Sequence, residues 1–394
     1  MPLPLYLLAV AVFAMGTSEF MLAGLLPDIA SDLGVTVGTA GALTSAYAIG
    51  MVVGAPLAAA LARDWPRRSG LLGFLLTFMA AHVVGAGTTS FPLLFATRVV
   101  AAVANAGFLA VALTAAAALV PPGRKGRALA VLLSGTTVAT IAGVPGGAVL
   151  GTVFGWQAAF WAVAAVCLPA ALGVLKGIPA GRVRDEAAGR PALRAELAQL
   201  TRPRLALVML LGALVNAATF GGFTFLAPVV TGTAGLGELW VSAVLVLFGA
   251  GSFAGVTVAG RLSDRRPQLV IAAGGPLLLA GWPALAVLAD APAALFPLVF
   301  VQGALSFALG STLITRVLYE AAGAPVLAGA YATAALNVGA ATGPLIAAAA
   351  LGAAGNLGPL WASGLLVAVT LLIAYPLRRT VVPAPTGTPS PPPA

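Results

Sequence analysis

Charge-poor stretches recur along this chain of 394 residues, each close to the roughly 20 apolar residues that a helix needs to cross the hydrocarbon of a bilayer. In the first half they run near 4 to 27, 37 to 62, 69 to 88, 92 to 119, 128 to 152 and 157 to 175. In the second they run near 205 to 228, 240 to 262, 269 to 289, 293 to 317, 326 to 350 and 358 to 377. Backbone groups in hydrocarbon find no water, so each such segment must satisfy its own hydrogen bonds, and a helix does this. Only 8% of the residues are charged, against roughly 25% in an ordinary soluble protein, too few to cover a soluble fold of this length. The expected fold class is an all-α membrane protein with twelve transmembrane helices.

The loops between these stretches alternate in charge. One set carries Arg63, Arg67 and Arg68; Arg124, Lys125 and Arg127; seven basic residues between Lys176 and Arg204; Arg265 and Arg266; and Arg378 and Arg379. The other set, around 28 to 36, 89 to 91, 153 to 156, 229 to 239, 290 to 292 and 351 to 357, has no Lys or Arg. Basic loops stay in the cytoplasm, which places both termini and the long central loop there, in a multi-pass protein of the inner (plasma) membrane. The apolar run at the N-terminus lacks a basic leader and continues to Leu26, so it reads as an uncleaved first span.

An internal duplication follows from three echoes offset by roughly 200 residues. Phe91-Pro92-Leu93-Leu94-Phe95 recurs as Phe296-Pro297-Leu298-Val299-Phe300. Ala62-Arg63-Asp64-Trp65-Pro66 is echoed by Ser263-Asp264-Arg265-Arg266-Pro267, and Gly143-Val144-Pro145 by Gly343-Pro344. The chain therefore divides into a six-helix half over 1–176, a cytoplasmic linker over 177–204, a second six-helix half over 205–379 and a disordered Pro-rich tail over 380–394. Two six-helix halves around a midplane site, with access alternating by rocking, form an architecture of transport.

Other classes find no support. The net charge of +9 lies in scattered short loops rather than on one basic face, which argues against a nucleic-acid partner. There is no G-x-x-x-x-G-K phosphate loop, so an ATP-driven pump is not indicated. One His, scattered acids and a lone Cys167, read as a small apolar packing residue, do not make a catalytic or metal cluster. The expectation is a transporter and not an enzyme, acting as a monomer among membrane lipids without a cofactor.

Ionisable and polar side chains inside apolar runs carry the functional signal. Glu19 sits in an otherwise uncharged run, where an ionised carboxylate is costly. It is either a group that loses and regains a proton as access alternates or a permanently neutral hydrogen-bonding group. Arg98, in the fourth span, is costly unless paired or wet, and a structural ion pair is the alternative to a coupling role. His82 either titrates or holds a packing hydrogen bond. Asn105, Asn216, Gln302 and Asn337 either line a cavity or bond another helix, and Tyr47, Phe220, Phe223 and Tyr331 are candidate aromatic walls. Arg316 and Glu320, four apart, read as a helical ion pair.

Several of these segments resemble the major facilitator superfamily, specifically its twelve-helix drug:proton antiporters. Gly260-Arg261-Leu262-Ser263-Asp264-Arg265-Arg266-Pro267 is similar to the signature cytoplasmic motif, and the resemblance implies that Gly260 permits close packing while Asp264 and Arg265 latch one conformation. The first-half copy departs from the pattern, with Ala59, Arg63 and Asp64 where Gly, Asp and Arg are expected. Ala142-Gly143-Val144-Pro145-Gly146-Gly147 resembles the antiporter motif of the fifth span, which implies a gating role for Gly143, Pro145 and Gly147, and Arg98 matches the family's intramembrane arginine, associated with proton coupling.

Longer matches, including MGTSEFMLAGLLPDIA, TRVVAAVANAGFLAVAL, KGRALAVLLSGTT and GSTLITRVLY, resemble actinobacterial chloramphenicol exporters. The resemblance implies efflux of a small amphipathic drug driven by the proton gradient, with Glu19 and Arg98 coupling the proton. A transporter of another small metabolite, such as a sugar or purine, and a broader multidrug exporter are the alternatives, because Gly16-Thr17-Ser18-Glu19-Phe20 is also similar to first-span sequence in such relatives.

Overall fold

The computed structural model describes residues 1–22, 25–35, 37–62, 65–178, 193–262, 267–325 and 327–375, and among these there are helices and no strands. The first group of helices comprises α1 (Leu3–Met21), α2 (Leu26–Asp32), α3 (Val37–Leu61), α4 (Arg67–Gly87), α5 (Phe91–Ala118), α6 (Lys125–Val138), α7 (Val144–Phe154) and α8 (Trp156–Gly177). A short α9 (Leu193–Leu197) leads to the second group: α10 (Pro203–Thr224), α11 (Glu238–Leu262), α12 (Pro267–Val287), α13 (Pro292–Glu320), α14 (Ala328–Ala354) and α15 (Gly358–Ala374).

Local chemistry sets many of these boundaries. A proline stands in the first two positions of α1, α5, α10, α13 and α15, where its missing N–H belongs to the unpaired first turn and its fixed φ already suits a helix. Between α6 and α7 the helix does not stop but widens into a π-turn over Ala139–Gly143. Pro145 explains the slip, because it offers no amide to the carbonyl four residues earlier. The four described glycines with positive φ form two pairs roughly 200 residues apart: Gly34 with Gly235, both at 64°, and Gly155 at 83° with Gly355 at 67°. Gly155 ends α7 and Gly355 ends α14, so equivalent turns reverse the chain in each group.

Among the described residues, ten stretches are long and apolar enough to cross a membrane. One of them, Ala328–Ala374, holds two helices, α14 and α15, and α3 adds an apolar stretch over Ala42–Ala55. Packing follows one scheme twice. In the first group α1 packs on α6 and α8, α5 receives α3 and α4, and α4 also packs on α8. In the second, α10 packs on α14 and α15, α13 receives α11 and α12, and α12 also packs on α15. Lipid tails offer apolar helices no hydrophobic reason to associate, so close packing through small residues has to supply the attraction. Gly50 and Gly54 bring α3 onto Ala102 and Val103 of α5, and Gly251 and Gly255 bring α11 onto the carbonyls of Phe300 and Ala304 of α13.

The groups meet through α6 on α11 and α14 on α3 and α5. Two of these contacts are backbone-close and lie toward the basic loops. A Cβ built on Gly260 would collide with the Ala130 methyl of α6 and lie 3.4 Å from the Arg127 Cα. One built on Gly329 would lie 2.7 Å from the Ala110 carbonyl carbon of α5.

The short α9 docks beneath the same end. Glu196 is fully buried; its Oε2 accepts the Leu327 N–H at 3.0 Å and its main-chain carbonyl accepts the Tyr331 hydroxyl at 2.9 Å. Glu196→Ala is expected to strip the Leu327 amide of this acceptor, at a cost of about 1–3 kcal/mol. The expected result is trypsin cleavage after Arg194 that is several-fold faster than in the unaltered protein; an unchanged rate would show that α9 is held by other contacts. At the end of α13, Arg316 and Glu320 pair at 3.0 Å, as their spacing predicts.

Candidate functional site

A central cavity of about 830 Å³, a figure that includes space open to solvent, lies where the groups meet. Its walls come from α1, α3, α5 and α6 on one side and from α10, α11, α13 and α14 on the other. Mostly apolar walls with a few converging polar groups are typical of small-molecule sites. The ionisable residue among its described lining is Glu19; the amides are Asn105, Asn216 and Asn337, and the hydroxyls include Ser306 and Ser311. Each amide is anchored by its nitrogen: Asn105 donates to the Tyr47 hydroxyl at 2.8 Å, Asn216 to the Leu336 carbonyl at 2.7 Å and Asn337 to the Thr333 carbonyl at 2.9 Å.

Aromatic side chains frame the same space. Phe20 of α1 and Phe220 of α10 stack across the groups, with centroids 6.0 Å apart and planes 13° apart. Phe220 meets Phe223 edge-on, Phe223 packs on Phe248, and Phe248 meets Phe307, which returns to the cavity wall.

Behind Glu19 lies a buried polar cluster. Ser18 and Glu19 are neighbours on α1, so their side chains point about 100° apart, Glu19 into the cavity and Ser18 into the first helix group. Arg98 of α5, 1% exposed, donates from Nη1 to Ser18 Oγ at 2.7 Å and from Nη2 to the Ser18 carbonyl at 3.0 Å. Its guanidinium carbon lies 4.3 Å over the Tyr47 ring and 5.9 Å from the Phe160 ring. Desolvated cation–π contacts of this kind are worth about 2 kcal/mol, which offsets part of the cost of a charge in hydrocarbon. His82 of α4 touches the other side of Ser18, with Nε2 2.6 Å from Oγ and Nδ1 2.8 Å from the Phe78 carbonyl. A carbonyl only accepts, so Nδ1 carries a proton, and in the neutral ring Nε2 accepts the Ser18 O–H.

The residues singled out in the sequence are distributed between wall and interior. Glu19, Asn105, Asn216, Phe220 and Asn337 line the cavity. Tyr47 lies one layer behind, beneath Arg98, and Phe223 packs between Phe220 and Phe248. Gln302 is fully buried against Gly281, its Nε2 donating to the Leu278 carbonyl at 3.3 Å, and Tyr331 is held by α9. Gly143 and Gly147 face Thr17 and Met21, so the bent helix α6–α7 lies close along α1 of its own group. Pro145 is within α7, Gly260 packs on α6, and Asp264 and Arg265 lie outside the described residues.

Sequence reasoning quoted Ser18 and Phe20 beside Glu19 without giving them a role, and passed over Met51, Ser306, Phe307 and Ser311. Phe20 was legible as the neighbour of Glu19, and Ser306 with Gly310 and Ile314 shows a four-residue spacing along α13 that marks one helix face.

A membrane-embedded cavity shared by two helix groups, with a carboxyl group on its wall, defines a multi-pass membrane transporter. The family model of the Major Facilitator Superfamily matches residues 8–334, and the chain belongs to that family. It is 78% identical over 385 residues, 98% of both chains, to the chloramphenicol resistance protein of Streptomyces lividans. It is 33% identical over 340 residues, 86% of both chains, to the inner membrane transport protein YdhP of Escherichia coli K12. Among solved structures, the Major Facilitator Superfamily transporter FucP in the outward conformation superposes with a TM-score of 0.76 over 95% of this chain and 98% of that one, at 14% identity, a likeness of fold alone.

Proposed function

We propose that this chain exports chloramphenicol in exchange for protons, by alternating access between two six-helix repeats, 1–176 and 205–379, joined by the cytoplasmic linker 177–204 and followed by the tail 380–394. The observation that carries the reading is Glu19, an ionisable group on the wall of a cavity shared by both groups of helices. Counting α14 and α15 separately and adding α3 supports twelve spans, and the paired packing and paired turn glycines support the repeat. The alternation of basic loops with loops that lack Lys and Arg supports cytoplasmic termini. The 78% identity to a chloramphenicol resistance protein supports the substrate.

The cavity suits a neutral amphipathic amide bearing a nitrophenyl ring. Phe20, Phe220 and Phe307 offer ring faces, and Asn105, Asn216, Asn337, Ser306 and Ser311 offer hydrogen bonds without a fixed charge. Close helix contacts at Gly260 and Gly329 seal the cytoplasmic side, while nearer the other face the groups meet at Gly249 on Ile141 and at the ring pair Phe20 with Phe220. This is the state from which drug leaves and a proton reaches Glu19. The energy source is the proton gradient, with Arg98 modulating proton release from Glu19 and no cofactor; the working unit is a monomer in lipid.

The test is accumulation of labelled chloramphenicol in sensitive cells with and without a protonophore. Cells expressing the chain are expected to hold less drug than empty-vector cells, and the protonophore to remove the difference. Accumulation equal to that of empty-vector cells in both conditions would falsify the assignment.

A further inference from the structure

Two buried groups beside Glu19 have no part in the exchange described above: Ser18, fully buried, and His82, 1% exposed. They bear on where the Arg98 charge sits. The guanidinium commits both Nη groups to Ser18, one to the hydroxyl and one to the main-chain carbonyl, while its buried Nε has no partner. The main-chain bond holds one edge in place. The hydroxyl bond depends on which way the Ser18 proton points, because a serine oxygen offers its lone pairs to Arg98 only if its own proton is directed elsewhere.

His82 supplies that direction. The Phe78 carbonyl occupies Nδ1, and Nε2 is left to take the Ser18 proton at 2.6 Å. The ring is clamped in this orientation between Phe78, with centroids 4.1 Å apart, and Phe160, 5.5 Å away. The chain of hydrogen bonds therefore runs one way, from Arg98 through Ser18 and His82 to Phe78. Because Ser18 faces into the first helix group and Glu19 faces the cavity, an arginine held on Ser18 is held away from the carboxyl group, although their charges still interact through the interior.

We propose that Ser18 and His82 are positioning residues that hold Arg98 in a resting place off Glu19, so that the carboxyl group keeps its proton until drug arrives. Departure of the proton then accompanies transfer of the guanidinium from the Ser18 hydroxyl to the Glu19 carboxylate, and the Ser18–His82 bond sets how readily Arg98 moves. The charged and titratable groups in this cluster are Glu19, Arg98, Tyr47 and His82, from α1, α5, α3 and α4. The inference rests on proton exchange at Glu19.

The experiment follows protons released into weakly buffered detergent solution when chloramphenicol is added to the purified full chain, alongside equilibrium binding of the labelled drug. Ser18→Ala and His82→Phe are expected to keep drug binding and to release several-fold fewer protons, since Arg98 already rests against a deprotonated Glu19. Ser18→Thr and His82→Gln, which keep the hydroxyl and an acceptor for it, are expected to restore release. Release equal to the unaltered protein from Ser18→Ala, or from His82→Phe should the serine variant not fold, overturns the positioning role. Loss of release in Ser18→Thr overturns it also, by showing that space and not the hydrogen bond matters. An unaltered protein that binds drug and releases no proton instead removes the exchange reading itself.

Discussion

Glu19→Gln is expected to bring export against a gradient down to the background of cells lacking the protein, while the variant still inserts and binds drug. Glutamine keeps the size and the hydrogen-bonding oxygen of the carboxyl group but has no proton to exchange, so the change isolates charge from shape. No other ionisable group among the described residues lines the cavity, and Arg98 and His82 are committed to Ser18 behind it. Loss of the exchanging group leaves downhill equilibration of drug intact and removes its coupling to the gradient. Two measurements on inverted vesicles separate these: energised uptake of labelled drug, expected to vanish, and exchange of preloaded drug, expected to persist. Energised uptake at the unaltered rate would remove Glu19 from the mechanism.

Gly329→Val is expected to open the seal proposed on the cytoplasmic side. Even the first carbon of a side chain at this position would stand 2.7 Å from the Ala110 carbonyl carbon and 3.0 Å from its Cα, and these are backbone atoms that no rotamer change can move. Overpacking of this kind costs about 1–3 kcal/mol, which corresponds to roughly 5–150-fold in the equilibrium between two states when one of them lacks the clash. The sealed state carries the clash, so the population moves toward the state open to the cytoplasm. Thr114 borders the space beside this seal and reports on it. With the buried Cys167 replaced by Ser, a Thr114→Cys reporter is expected to react several-fold faster with a membrane-impermeant maleimide applied from the cytoplasmic side. Drug binding is expected to survive and export to fall about tenfold or more. Unchanged labelling with lost export would instead mean that the variant disturbs α14 without opening the seal.

How much of this was legible in the sequence differs between the scaffold and the site. Crossing helices were legible because hydropathy adds up along the chain and needs no knowledge of neighbours. Glu19 and Arg98 were legible for the same reason: a charge inside an apolar run stands out whatever surrounds it. Their relationship was not legible. An ion pair was one expectation for Arg98, yet its hydrogen bonds go to Ser18 and its face lies over Tyr47, because α1 turns the neighbouring residue, not Glu19, toward α5. Asn105 and Gln302 look alike as amides in apolar helices, but Asn105 reaches the cavity and Gln302 is wedged against Gly281 between α12 and α13. Nothing in the residues themselves separates these two outcomes.

The sequence by itself determined that the chain is a helical membrane protein, roughly where its long apolar stretches lie, and which few ionisable groups lie in the hydrocarbon. The tertiary structure alone decided which face of each helix meets lipid, a neighbour or the cavity. These helices are apolar on every side, so no polar stripe marks the inward face as it does in a soluble helix. The choice falls to the close fit of small residues such as Gly54 on Val103 and Gly343 on Ala217, which exists only once two helices are brought together.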